Sequence, residues 1–174
     1  MSENDPTSEH AKLARKTVES YVRGEGRPDV SEVPGELLDK KAGVFVCLKK
    51  DGELRGCIGT IQPVKDNIAE EIRDNAVSSA TSDFRFPPVS PGELESLTYS
   101  VDVLEPAEDI GGIEELDPSI YGVIVRSGQK AGLLLPDLEG VDTPTEQVRI
   151  AMMKAGIGPG EPVRLQRFKV TRHD

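Results

Sequence analysis

The stretch GVFVCLKKDGELRGCIGT, residues 43–60, leaves this chain little choice of local structure. Asp51-Gly52 stands between two apolar-rich runs, and a two-residue Asp-Gly link is a hairpin signal. A turn that closes directly makes Lys50 face Glu53, Leu48 face Arg55 and Val46 face Cys57. Paired residues share one face of a sheet. This register therefore puts Arg55 and Cys57 with Val44, Val46 and Leu48, and it puts Cys47 with Phe45, Leu54 and Ile58. The cysteines then point to opposite sides, which argues against a disulfide between them, although a bulge at either glycine would flip the register. Gly56 and Gly59 interrupt the second strand. Glycine there marks a bend or a close approach of some other group.

Around the hairpin, residues 7–23 read as an amphipathic helix with Ala11, Ala14, Val18, Tyr21 and Val22 on one face and Gly24 as the stop. A Gly- and Pro-rich loop follows. A second helix is expected from about Val64 to Ala80, with Val64, Ile68, Ile72, Ala76 and Ala80 inward, ended by SDFRFPPVS. Ser90-Pro91-Gly92-Glu93 and Thr143-Pro144-Thr145-Glu146 both have the form of capping boxes. TYSVDVLE, YGVIVRS, KAGLLLP and PVRLQRFKV read as strands. Helices and strands that do not alternate regularly indicate an α+β fold, a mixed sheet with packed helices. At 174 residues, one domain spanning 1–174 with room for a small subdomain is expected.

The net charge of −10 is unevenly spread: Phe86 to Val125 contains nine acids and no Lys or Arg, while the final PVRLQRFKVTRH is basic. Such an acidic stretch repels phosphates, so general nucleic-acid binding is disfavoured. It reads either as a solvated face or as a docking site for a basic partner. No apolar run has the length of a membrane span, and the polar, acidic N-terminus does not read as a signal peptide. Two cysteines in that setting point to a reduced, cytoplasmic protein.

Cys57 is the first candidate for chemistry, because a thiolate is a nucleophile and the neighbouring Arg55 would lower its pKa. The competing reading is a small cysteine packed in a sheet. A general base is missing, since the only histidines, His10 and His173, lie near the two ends. Arg55 and Arg85 form the second candidate. An extended DFRFPP sends Phe84 and Phe86 one way and presents the Arg85 guanidinium, whose planar fork suits a carboxylate or phosphate. The alternative is a structural arginine tying a loop to Asp83, Asp102 or backbone carbonyls. The spacing of His and Cys fits no zinc site, and no dinucleotide or phosphate-loop glycine pattern is present, so no metal and no cofactor is expected.

LRGCIGT at 54–60, DFRFPP at 83–88, ELESLTYSVDVLEPAEDI, and GLLLPDLEGVD with KAGI between 132 and 157 resemble the AMMECR-type domain family over nearly the whole chain. The resemblance implies an α+β fold with a larger and a smaller domain. It also implies a cleft lined by Arg55, Gly56, Cys57, Gly59 and Thr60, with Arg85 nearby. Relatives in bacteria and archaea tend to be encoded beside, or fused to, a protein resembling metal-dependent dioxygenases, together with a radical S-adenosylmethionine (radical SAM) enzyme, which implies a shared modification pathway. The expectation is an enzyme or enzyme subunit in which Cys57 attacks, Arg55 and Arg85 hold a small anionic substrate, and Gly56, Gly59, Thr60 and Asp83 contact it. The alternative is a non-catalytic binding module or scaffold for the dioxygenase-like partner.

Overall fold

The computed structural model describes residues 2–174. In chain order the elements are α1 (Glu9–Val22), α2 (Gly35–Asp39), β1 (Val44–Lys50), β2 (Glu53–Gly59), α3 (Ile68–Thr81), a 3₁₀ turn (Pro91–Ser96), β3 (Leu97–Leu104) and β4 (Glu108–Ile110). A 3₁₀ turn (Ile113–Glu115), β5 (Gly122–Ser127), β6 (Lys130–Leu134), α4 (Pro144–Ala155), β7 (Arg164–Phe168) and β8 (Val170–His173) complete the chain. These elements divide into two compact units. The first runs to Leu104 and takes in Thr171–Asp174; the second is Glu105–Val170. The α+β expectation holds, with two four-stranded sheets whose registers are antiparallel in place of one mixed sheet.

In the first unit the strand order is β2-β1-β3-β8. Alternation along β1 sends Val44, Val46 and Leu48 inward, each fully buried, and Val101 and Tyr99 stand opposite Val46 and Leu48 on β3. Ala11, Ala14 and Val18 of α1 and Ile68, Ile72, Ala76 and Ala80 of α3 close over that face. Both helices begin where sequence chemistry dictates: the Ser8 hydroxyl accepts the Ala11 amide and the Asn67 side-chain Oδ1 accepts the Glu70 amide. Val64, expected inside α3, lies ahead of its cap and is 70% exposed. Tyr21 is also exposed, and α2 forms within the expected loop.

The second unit has the order β4-β7-β5-β6, with α4 packed on β5 and β6 around Val123, Val125, Leu134, Ala151 and Ile157. The Thr143 hydroxyl caps α4, and Gly156 ends it in the left-handed conformation at φ 70°. The expected single strand PVRLQRFKV is two strands, β7 and β8, which belong to different sheets. The basic tail meets the acidic run within the chain. Arg164 forks onto Asp109 at 2.9 and 3.0 Å, Arg167 pairs with Glu108, and Arg172 forks onto the buried Asp102 at 2.8 Å to both oxygens.

The hairpin register corrects the sequence expectation. Lys50 does face Glu53, but a bulge between Leu48 and Lys49 shifts the rest, so Leu48 faces Gly56, Val46 faces Ile58 and Cys47 faces Cys57. Arg55 is the unpaired extra residue. A one-residue slip moves every later side chain to the other face. The cysteines are therefore cross-strand neighbours with Cα atoms 4.1 Å apart, joined as a disulfide. Neither is a free thiol in this structure.

Candidate functional site

The motif strand β2 is an edge strand, and helix α3 sends polar groups into its ladder with β1. Glu71, Asn75 and Ser79 recur every four residues and so share one helix face; all three are buried. The Ser79 hydroxyl stands inside the β1–β2 ladder, donating to the Val46 carbonyl at 2.7 Å and accepting the Ile58 amide at 2.9 Å. The Asn75 amide donates to the Val44 carbonyl, and the Thr60 hydroxyl donates to Glu71 at 2.8 Å. The other Glu71 oxygen accepts the amides of Val64 and Lys65. The approach of α3 explains Gly56, and the Phe45 side chain of β1 explains Gly59. A Cβ on Gly56 would sit 2.2 Å from the Ser79 carbonyl oxygen, and one on Gly59 would sit 2.3 Å from the Phe45 ring. What comes close to both glycines is the chain's own interior.

Past the end of α3, Asp83 turns back onto the motif. It is 4% exposed; its Oδ2 accepts the Cys57 amide at 3.0 Å and the Arg85 guanidinium at 2.7 Å, and its Oδ1 accepts the Arg85 amide and Nε. Arg85 in turn donates to the Cys57 carbonyl at 3.3 Å. Two side chains two residues apart thus clasp both polar groups of one peptide residue. The Arg85 hydrogen bonds, helped by the Cys57 and Arg85 amides and opposed by burial, hold the Asp83 carboxyl far below the usual carboxylate range.

Arg55 reaches the opposite way. Its Nε and Nη2 fork onto Glu93 at 2.9 and 3.1 Å, with 11% of the arginine and 18% of the glutamate side chain exposed. The same glutamate closes the capping box by accepting the Ser90 amide. Arg55 first, then Ser90, lowers the Glu93 pKa to about 2. Phe86 lies between the two guanidiniums, its ring centre 5.9 Å from Arg55 Cζ and 5.4 Å from Arg85 Cζ. Phe84, at the apex of the turn, is 96% exposed.

Of the residues expected to act together, Arg55, Gly56, Cys57, Asp83 and Arg85 are gathered, while Gly59 at the end of β2 and Thr60 just past it lie against Phe45 and Glu71. Their chemistry differs from the expectation. Cys57 is bonded to Cys47, and each arginine holds an internal carboxylate. His10 and His173 stack on each other with ring centres 3.6 Å apart. Among the described residues no group of three or more His, Cys, Asp or Glu is set to hold a metal ion. Two hollows are found elsewhere, one of about 430 Å³ along the charged face of α1 and one of about 540 Å³ on α4. No helix of the described residues is long and apolar enough to cross a membrane.

Sequence reasoning missed Ser79, Glu93 and the exposure of Phe84. The four-residue repeat Glu71-Asn75-Ser79, ending just before DFRF, was the available signal for the first. For Glu93, its place in a capping box was a signal for a fixed carboxylate.

A model of the AMMECR1 family matches residues 11–173. A protein of Thermotoga maritima is 53% identical over 167 residues, covering 94% of this chain and 96% of its own length. A protein of Clostridium acetobutylicum is 51% identical over 173 residues, 98% of this chain but only 36% of that longer protein. Among solved structures, the crystal structure of an uncharacterized protein from Pyrococcus horikoshii has a TM-score of 0.86 at 32% identity, covering 94% of this chain and 88% of that one.

Proposed function

The chain belongs to the AMMECR1 family, and we propose that it acts there as a binding module whose docking surface is the Phe84–Arg85 turn beside the Cys47–Cys57 bridge. The observation that carries this reading is the 96% exposure of Phe84 on a turn fixed by buried Asp83. Leaving a phenylalanine in water forgoes roughly 1.5–3 kcal/mol that burial would recover. Aromatic and arginine anchors dominate interface energies, and a turn already immobilised loses little entropy on docking. An enzyme built on the same residues needs a free thiolate and an unpaired guanidinium, and both are engaged internally.

The partner in this proposal is the dioxygenase-like protein, in a modification pathway that also contains a radical SAM enzyme. The Clostridium acetobutylicum relative supports a module that works beside other domains, since the matched region is 36% of its length. Calorimetric titration of the purified dioxygenase-like protein tests this. Phe84→Ala is expected to weaken binding at least tenfold without altering the melting temperature, whereas the Cys47→Ser/Cys57→Ser double variant keeps it. Loss in the serine variant alone returns the thiol to the centre of function. Binding indifferent to Phe84 overturns the module reading.

A further inference from the structure

The hollow on α4 stands apart from the motif, within the second unit. Ile113, Val148, Met152, Met153, Ile157 and Pro159 line it, and its volume of about 540 Å³ holds several side chains. The apolar face is open: Met153 is 62% exposed and Ile113 39%. Val148 and Met152 are four apart on α4, so they and Met153 form one stripe, while Gln147 and Ala151 occupy the buried side. Methionine is unbranched and polarisable, which suits a surface that adapts to an incoming side chain.

The charge beside this stripe is negative. Glu114 and Glu115 directly follow Ile113 and are exposed. They belong to the run from Phe86 to Val125 that has nine acids and no Lys or Arg. Within that run Glu93, Asp102, Glu108 and Asp109 are ion-paired internally, whereas Glu114 and Glu115 enter no ion pair among the described residues. The cations nearest in sequence are engaged. Arg149, which also lines the hollow, forks onto Glu146 at 2.6 and 2.9 Å, Lys154 donates to the Leu133 carbonyl at 2.9 Å, and Arg167, beside Glu115, is paired with Glu108. The complement of this surface is therefore an apolar anchor flanked by positive charge. A second copy of a chain carrying −10 is repelled, and so is an anionic lipid surface.

We infer that the α4 hollow is a docking groove for a basic amphipathic helix of a partner protein, with its leucine-sized anchors between Met152 and Ile157 and its lysines or arginines against Glu114 and Glu115. This is the helix-in-groove mode, in which apolar anchors give affinity and the charged rim gives selectivity.

The chain has only three methionines, and two of them line the groove. Methyl-¹³C methionine labelling therefore gives two signals that report on the site and one, from Met1, as a control. The probe is a fourteen-residue amphipathic Leu/Lys peptide, compared with its Leu/Glu counterpart. Saturable shifts of the Met152 and Met153 methyls with the Lys peptide alone are expected. Met153→Lys and Glu114→Lys/Glu115→Lys, both surface changes, are each expected to raise the dissociation constant at least tenfold. No shift at millimolar peptide, equal shifts with the Glu peptide, or shifts produced by raising the concentration of the protein by itself would each overturn the inference.

Discussion

Arg55 and Glu93, 38 positions apart in the chain, meet in a two-pronged ion pair at 2.9 and 3.1 Å that fixes the bulged residue of β2 to the capping turn before β3. Replacing Glu93 by Gln leaves a largely buried guanidinium without its counter-charge and is expected to cost about 2–4 kcal/mol in urea denaturation. Arg55→Lys keeps the charge but loses the fork, and a smaller loss follows. Glu93 has a folded pKa of about 2, below the ordinary glutamate value of 4.5. Its contribution to stability is present above pH 4.5 and is lost as pH falls toward 2. The glutamine variant flattens that acid limb, which melting curves between pH 2 and 5 read directly.

Gly56→Ala places a methyl 2.2 Å from the Ser79 carbonyl oxygen, a backbone atom that cannot swing aside. A loss of about 2–4 kcal/mol is expected, as for overpacking that displaces main chain. Hydrogen exchange localises the damage: the Ile58 amide, held by Ser79 Oγ, exchanges faster, while amides of the second unit keep their protection.

The Cys47–Cys57 bridge closes a loop with a sequence separation of 10, and chain-entropy reasoning gives it ~2–3 kcal/mol. Alkylation of the non-reduced protein followed by mass measurement is expected to find no reactive thiol, and two after a dithiol reductant. A free thiol in the untreated protein would show the bridge unformed in solution and revive Cys57 as a nucleophile.

His10 is 8% exposed, and burial, then the neighbouring His173, lowers its pKa to about 4; Glu36 and Glu9 pull the other way. Between pH 6.5 and 4 the unfolded chain binds the proton that the folded one refuses, so stability falls as pH drops through that window. His10→Phe preserves a ring on His173 and removes the titrating group. Its melting temperature is expected to be flatter between pH 7 and 4.5 than that of the unaltered protein.

The sequence disclosed the hairpin, the capped helices and the α+β class, because turn dipeptides, caps and periodicity are local signals. The hairpin register was not local. Whether Arg55 pairs or bulges depends on Glu93 and on the approach of Ser79, residues far along the chain. Helix α3 was read from Ile68, Ile72, Ala76 and Ala80, yet its polar stripe is equally buried, and the four-residue spacing of Glu71, Asn75 and Ser79 was its one local mark. The alternative reading of Arg85, as a tie to Asp83 and backbone carbonyls, matches its contacts. The acidic run and the basic tail were visible as separate blocks. Their partial neutralisation needed the β4–β7 pairing, a long-range contact.

The larger unit takes its last strand from Thr171–Asp174, after the whole of the smaller unit has intervened. The larger sheet therefore receives its edge strand, and the buried carboxylate of Asp102 its partner Arg172, from residues that follow the smaller unit in the chain. Without those residues the buried Asp102 carboxylate loses Arg172 and β3 loses one of its two neighbours. Removing 171–174 therefore strikes the unit that is read first in the chain, which depends for its last strand on residues that follow the second.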